Sequence, residues 1–172
     1  MEYTEEKIDI GKHFRIVGDF CCGADDPLNS FLTDKSFDYD ENKLGVTYLI
    51  FNKDKSTILG FYTIKTNAIQ TIDDDTGEYN ALPMIEIARI AVQHEFQSNG
   101  VGRRIFYDYI LPKVKKVGSL VAVYGLMVFV DPYNEKGIKF YESIGFKKAD
   151  SSIQKMIGET FNEKCDLYVA SI

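Results

Sequence analysis

The stretch Met84 to Arg104 reads MIEIARIAVQHEFQSNGVGRR. From Ile85 to Val92 it is nearly continuous in apolar residues, broken by Glu86 and Arg89, as expected of a strand covered on both faces. A short polar turn then leads to Gln97, Ser98, Asn99, Gly100, Val101 and Gly102, and Arg103 and Arg104 open the apolar periodicity of a helix. Small residues at a helix start leave backbone N–H groups uncovered. Several of those donors have no intrahelical partner and the dipole is positive there, so an anion, a pyrophosphate in particular, can rest on them. A dinucleotide fingerprint GxGxxG fails, because Ile105 stands where the last glycine belongs. A GxxxxGK[ST] loop fails too, because Arg103-Arg104-Ile105 follows Gly102. On the glycines alone two readings stay open: a phosphate cradle, or an ordinary strand-to-helix turn that uses glycine for backbone freedom.

Downstream, Val101, Ile105, Phe106, Tyr109 and Ile110 mark one helical face until Pro112 kinks or ends the helix. Val121 to Val130 is a second apolar strand, and the order strand, helix, strand implies a right-handed parallel crossover. Asp131-Pro132 opens another helix that carries Ile138, Tyr141 and Glu142 and stops at Gly145. Phe146 to Ala149 and Cys165 to Ser171 read as closing strands, with no readable element from Asp150 to Lys164.

Upstream, Lys7 to Val17 alternates weakly around Ile8, Ile10, Phe14 and Ile16 and reads as a short first strand. Asp25-Asp26-Pro27 supplies a cap and a first-turn proline for a helix with Leu28, Phe31, Leu32 and Lys35 at i, i+3, i+4 and i+7, ending between Asp38 and Asn42. Gly45 to Phe51 and Thr57 to Lys65 read as a hairpin around Asn52-Lys53-Asp54-Lys55. Ile69 to Pro83 reads as an irregular polar loop. Its Asp73-Asp74-Asp75 lacks metal-ligand spacing and reads as solvated.

At 172 residues the chain fits a single domain, residues 1–172, that buries about 70% of its unfolded surface without a disulfide or metal staple. Twenty Lys and Arg against 26 Asp and Glu give a net charge of −6, which disfavours whole-surface attraction to nucleic acid or anionic lipid. Lys113, Lys115 and Lys116 form a local basic cluster. Cys21, Cys22 and Cys165 are odd in number and two are adjacent, so they read as free thiols of a reducing compartment, with Cys165 in a buried strand. No signal pattern and no membrane-length apolar run is present, so a cytoplasmic protein with no membrane partner is expected. His94 reads as an exposed loop residue, and His13 has no feature that suggests a role.

Gln97-x-x-Gly100-x-Gly102, preceded by Ile87-Ala88-Arg89-Ile90-Ala91-Val92 and followed by Asn134-x6-Tyr141-x3-Gly145-Phe146, resembles the GNAT superfamily of acyl-CoA-dependent N-acyltransferases. The likeness covers Met84 to Lys148 and joins two separated motifs. It implies an α/β (α+β) fold, a mixed and mostly antiparallel sheet of about six to seven strands with a central parallel splayed pair and flanking helices. It also implies acetyl-CoA as cosubstrate, no metal, and direct attack by a primary amine, on a small molecule or a peptide, in a ternary complex. Backbone groups of Ile90, Ala91 and Val92 would contact the pantetheine arm. Gln97, Ser98, Asn99, Gly100, Val101, Gly102 and Arg103 would hold the pyrophosphate, and Asn134 would contact the cofactor.

Tyr141 matches the tyrosine that protonates the departing thiolate; the competing reading is an aromatic packed with Tyr133, Phe140 and Phe146. Glu86 takes the position of the general-base glutamate of the histone acetyltransferase branch, where desolvation would raise its pKa; the competing reading is a solvated strand residue or a partner of Arg89. Phe20-x-Cys22-Gly23, Leu28, Phe31-Leu32 and Gly60-Phe61-Tyr62-Thr63 are similar to the acetyltransferase toxins of bacterial toxin–antitoxin pairs, which acetylate aminoacyl-tRNA. One extra residue between Gly23 and Leu28 and the acidic charge depart from that pattern. A non-catalytic acyl-CoA-binding module is the remaining alternative. Acceptor choice is assigned to Leu28 to Phe37 and to Ile69 to Pro83, and the superfamily's frequent dimers make a homodimer the assembly to test.

Overall fold

A computed structural model describes residues 3–24, 26–73, 75–154 and 164–172. The strands are β1 (Thr4–Lys7), β2 (Val46–Phe51), β3 (Ile58–Ile72), β4 (Tyr79–Val92), β5 (Gly125–Val130), β6 (Lys147–Lys148) and β7 (Asp166–Ala170). They form one seven-stranded sheet in the order β1-β2-β3-β4-β5-β7-β6. β1 with β2, β2 with β3, β5 with β7 and β6 with β7 are antiparallel, and β4 with β5 is parallel. This is the mixed sheet expected of the superfamily. The principal helices are α1 (Ile10–His13), α2 (27–41), α3 (101–118) and α4 (Glu135–Ser143). The chain packs as two compact units, Met1–Lys65 with Ile87–Pro112, and Thr66–Glu86 with Lys113–Ile172.

In the first unit Phe20, Phe31, Leu32, Leu49, Phe51, Ile58, Phe61 and Ala91 share one core. Phe61 stacks on Phe31 at 6.2 Å between ring centroids and meets Phe20 edge-on at 5.3 Å. The first strand lies further upstream than Lys7 to Val17. Asp9 accepts a hydrogen bond from the Lys12 amide and starts α1 there, so Ile8 and Val17 enter the core while Ile10 and Phe14 remain exposed. The polar sequence Thr4 to Lys7 forms the strand instead, as an edge strand can.

Glu6 of β1 receives Lys55 Nζ at 2.5 Å and His13 Nε2 at 3.2 Å, while His13 Nδ1 accepts the Asp9 amide at 3.0 Å. The hydrogen bond from Lys55, helped by that from His13, holds the Glu6 carboxyl below its ordinary pKa. A depressed folded-state pKa stabilises above the unfolded pKa and is lost as pH falls through the folded one. Glu6→Gln is therefore expected to lower Tm at neutral pH and to converge with the wild type in strong acid. Parallel melting curves at every pH would remove the carboxylate from this account.

α2 begins where the sequence placed it: Asp26 accepts from the Leu28 amide at 2.9 Å and Pro27 occupies the first turn. Its middle, Phe31–Lys35, is π-helical, with the Ser36 amide bonded to the Phe31 carbonyl. That extra residue shifts the buried face by one position, so fully buried Ser36 takes the place assigned to Lys35 and bonds the Leu32 carbonyl at 2.5 Å. α3 likewise passes through Pro112. The π turn Ile105–Ile110 precedes it, with Leu111 N–H reaching the Phe106 carbonyl, and this wider turn gives room to a ring that an α-helix would press against residue i−4.

In the second unit Ile69, Met84, Met127 and Leu167 form a core cluster, with Leu82, Phe129 and Val169 packed against it. Ile69 to Pro83 is not a loop. β3 runs on to Ile72 and β4 starts at Tyr79, joined by a turn in which the Asp73 amide bonds the Glu78 carbonyl at 2.8 Å. Asp73 Oδ1 accepts from the Asp75 and Thr76 amides, which closes that turn. β5 starts at Gly125, four residues after the expected Val121, which is exposed together with Leu120. Cys165 precedes β7 at intermediate exposure, and none of the three cysteines is in a disulfide. Residues 151–154 are helical, and 155–163 of the unread Asp150 to Lys164 segment lie outside the described residues. Among the described residues no helix is long and apolar enough to cross a membrane.

Candidate active site

The parallel ladder pairs Met84 with Gly125, Ile85 with Leu126 and Glu86 with Met127, after which β4 continues from Ile87 to Val92. In the first unit that continuation leads into the glycine turn. The Gln93 amide bonds the Leu59 carbonyl at 2.9 Å, and a 3-10 turn spans His94–Phe96. Ser98 and Gly100 take the left-handed region, φ 61° and 77°, so the chain reverses into α3 within a few residues. The first backbone bond of α3 joins Arg104 N–H to the Gly100 carbonyl at 3.0 Å. The N–H groups of Val101, Gly102 and Arg103 precede it and are the donors a helix start presents to an anion. The strand, the glycine turn and the helix start read from the sequence are therefore all present.

Gln97 contributes differently. Its Nε2 donates to the Cys22 carbonyl at 2.6 Å and to the Val92 carbonyl at 3.0 Å, and its amide bonds the His94 carbonyl at 3.2 Å. Its side chain braces the turn. Ala91 is buried, and Ile90 and Val92 are half-buried on the same strand end. Gly60 explains part of the Gly60-Phe61-Tyr62-Thr63 signature, since a Cβ there would lie 2.6 Å from the Ala91 carbonyl oxygen and 2.7 Å from Ile105 Cδ1. The guanidinium of Arg89 lies 4.9 Å from the Phe31 ring centroid and donates to the Ala88 carbonyl.

In the second unit Glu86 is 5% exposed, which removes the reading of a solvated strand residue. Asn67 of β3 donates Nδ2 to Glu86 Oε2 at 2.6 Å and fixes the carboxylate. A strand that ends at Lys65, as the sequence predicts, leaves Asn67 out; the strand continued to Ile72 brings it to Glu86. Asn134 is the N-cap of α4, accepting the Gly137 amide at 2.9 Å, so the helix starts three residues beyond Asp131-Pro132. One helical segment thus carries Asn134 at its start and Tyr141 near its end. Tyr141 is 7% exposed and meets Phe146 at 5.5 Å and Phe140 at 5.2 Å between centroids. Tyr133 does not join them, being 91% exposed.

His94 is exposed, as read. His13, which the sequence left without a role, is 5% exposed and belongs to the Glu6 network. Among the described residues no group of three or more His, Cys, Asp or Glu side chains is placed to hold a metal ion.

Residues 20–146 match the family model described as Acetyltransferase (GNAT) family. Among curated proteins, the tRNA(Met) cytidine acetyltransferase TmcA of Actinobacillus pleuropneumoniae serotype 5b (strain L20) is 29% identical over 90 residues, 52% of this chain and 15% of that protein. The chain therefore spans a small fraction of the length of that relative. Among solved structures, AtaT complexed with acetyl-methionyl-tRNAfMet superposes with a TM-score of 0.76 at 21% identity, covering 99% of this chain and 95% of that one. A tyrosine-to-phenylalanine mutant of the AtaT toxin, bound to the C-terminus of the antitoxin AtaR and acetyl-CoA, gives 0.74 at 22% identity, covering 98% and 94%.

Proposed function

The chain belongs to the GNAT acetyltransferase family and is an acetyl-CoA-dependent acyltransferase, and from that premise we propose that it transfers acetyl to the primary amine of aminoacyl-tRNA. The carrying observation for acyl transfer is the glycine turn, whose amides at Val101, Gly102 and Arg103 stand ahead of the first bond of α3. These donors suit the pyrophosphate of CoA. The backbone of Ile90, Ala91 and Val92, on the part of β4 beyond its ladder with β5, suits the pantetheine arm. Gln97, Ser98, Asn99 and Gly100 shape the turn, and Asn134 is a further cofactor contact. Acetyl-CoA supplies an activated thioester carbonyl.

The protein's own residues must move two protons. Glu86, fixed by Asn67, takes the proton of the incoming ammonium so that its nitrogen can attack. Tyr141 gives a proton to the sulfur as the C–S bond breaks, and the second proton shed by the attacking nitrogen as the amide forms restores the phenol. Glu86→Gln is expected to lower kcat/KM at neutral pH by about 10²-fold or more. It should also leave a rate that climbs with pH as the amine deprotonates unaided. A neutral-pH rate equal to that of the wild type would assign the deprotonation elsewhere.

The charged-tRNA acceptor is supported by the Phe20-x-Cys22-Gly23 and Gly60-Phe61-Tyr62-Thr63 signatures, and by the likeness to AtaT along nearly the whole chain. Lys113, Lys115 and Lys116 on the last turns of α3 are a local counterweight to the net charge of −6. The test follows label from acetyl-CoA into charged tRNA, uncharged tRNA, and a panel of small amines and peptides. Label in charged tRNA alone supports the proposal. Label confined to small amines or peptides replaces it with an acetyltransferase of another primary amine, and binding of acetyl-CoA without transfer to any acceptor leaves a binding module.

A further inference from the structure

Cys22 of the Phe20-x-Cys22-Gly23 signature has its two peptide groups taken from opposite sides. Its N–H donates to Asn29 Oδ1 of α2 at 2.9 Å, and its carbonyl accepts Gln97 Nε2 of the glycine turn at 2.6 Å. The flanking residues repeat the pattern. Asn29 Nδ2 donates to the Gly23 carbonyl at 2.6 Å, while the Cys21 amide donates to Gln93 Oε1 at 2.8 Å and the Cys21 carbonyl accepts the His94 amide at 2.8 Å. The Cys22 thiol also donates to Asn29 Oδ1, at 3.2 Å. Burial, reinforced by the charge of Asp26, pushes that thiol up to about 12, so it stays a protonated donor. One asparagine of α2 thus secures a three-residue strap, and the strap secures Gln93, His94 and Gln97. All of these residues lie in the first unit.

We infer that Asn29 is a positioning residue for the cofactor cradle, acting through the strap Cys21 to Gly23 and setting acetyl-CoA affinity without entering the chemistry. The physical reason lies in the turn beyond Gln97. Ser98 at φ 61° holds a left-handed conformation that, for a residue other than glycine, persists where surrounding structure over-determines it. A turn held in its binding shape spares the ligand the cost of ordering it. The strap supplies that hold from the same helix to which acceptor choice is assigned.

The inference rests on the reading that the glycine turn receives CoA, and the test separates the two. Acetyl-CoA is titrated calorimetrically, with no acceptor present, into the wild type, Asn29→Ala, Gln97→Ala and the double variant. Each single change is expected to raise Kd about ten-fold, the effect of losing one or two net hydrogen bonds. The double change should cost little more than one of them, because both act on the Cys22 peptides. Asn29→Ala should also raise KM for acetyl-CoA in step with Kd while kcat at saturation holds.

Asn29→Asp keeps the acceptor for the Cys22 amide but loses the donor to Gly23, so its Kd should fall between those of the wild type and the alanine variant. It decides the matter should the alanine variant fail to fold. An unchanged Kd in the asparagine variants, or a double variant whose losses multiply, overturns the inference. A wild type that does not bind acetyl-CoA overturns the cradle reading, and the inference with it.

Discussion

In Tyr141→Phe, acetyl transfer at saturating substrates falls by about 10²- to 10⁴-fold, the range that a positioned general acid contributes. The variant deletes one oxygen and leaves the ring where it is. That ring is 7% exposed and set edge-on against Phe146 at 5.5 Å and Phe140 at 5.2 Å, contacts that phenylalanine makes equally well. A lost hydroxyl bond costs about 1 kcal/mol, so Tm moves by a few degrees at most. The Kd for acetyl-CoA stays close to that of the wild type. The decisive comparison is kcat from thiol release beside Kd and Tm for the same preparation. A rate within about three-fold of the wild type would leave Tyr141 as packing and move the proton donor elsewhere.

Gly60→Ala should unsettle the first unit and weaken cofactor binding together. The added Cβ would lie 2.6 Å from the Ala91 carbonyl oxygen and 2.7 Å from Ile105 Cδ1. The isoleucine methyl can rotate away, but the carbonyl belongs to the backbone of β4 and cannot. Overpacking of this kind costs about 1–3 kcal/mol, roughly 2–12 °C in Tm for a chain of this size. Ala91 is one of the three residues proposed to pair with the pantetheine arm, so the Kd for acetyl-CoA rises as well. Gly18→Ala is the matched control, since a Cβ there meets nothing within 4 Å. Equal Tm and Kd in the two variants would show that β3 and β4 separate freely, against the close approach seen at Gly60.

The sequence alone determined what short-range physics encodes. Ile85 to Val92 and the glycines after it specify a strand, a turn with left-handed residues and a helix start, because each depends on neighbours a few positions away. Asp26 with Pro27 specified the start of α2 for the same reason, and the family motif fixed the sheet type. The tertiary structure decided the rest. The π turns of α2 and α3 carry no propensity signal of their own; each appears where a proline or a buried serine makes a wider turn fit. The long β3 and β4 are polar where they leave the core, so their alternation was faint, and with them the contact of Asn67 with Glu86 stayed hidden. The strap is the clearest case: Cys21 meets Gln93 across 72 residues and Cys22 meets Gln97 across 75. No spacing rule announces such pairs, because a hydrogen bond between distant segments is set by where the folded core brings them, and only the fold holds that information.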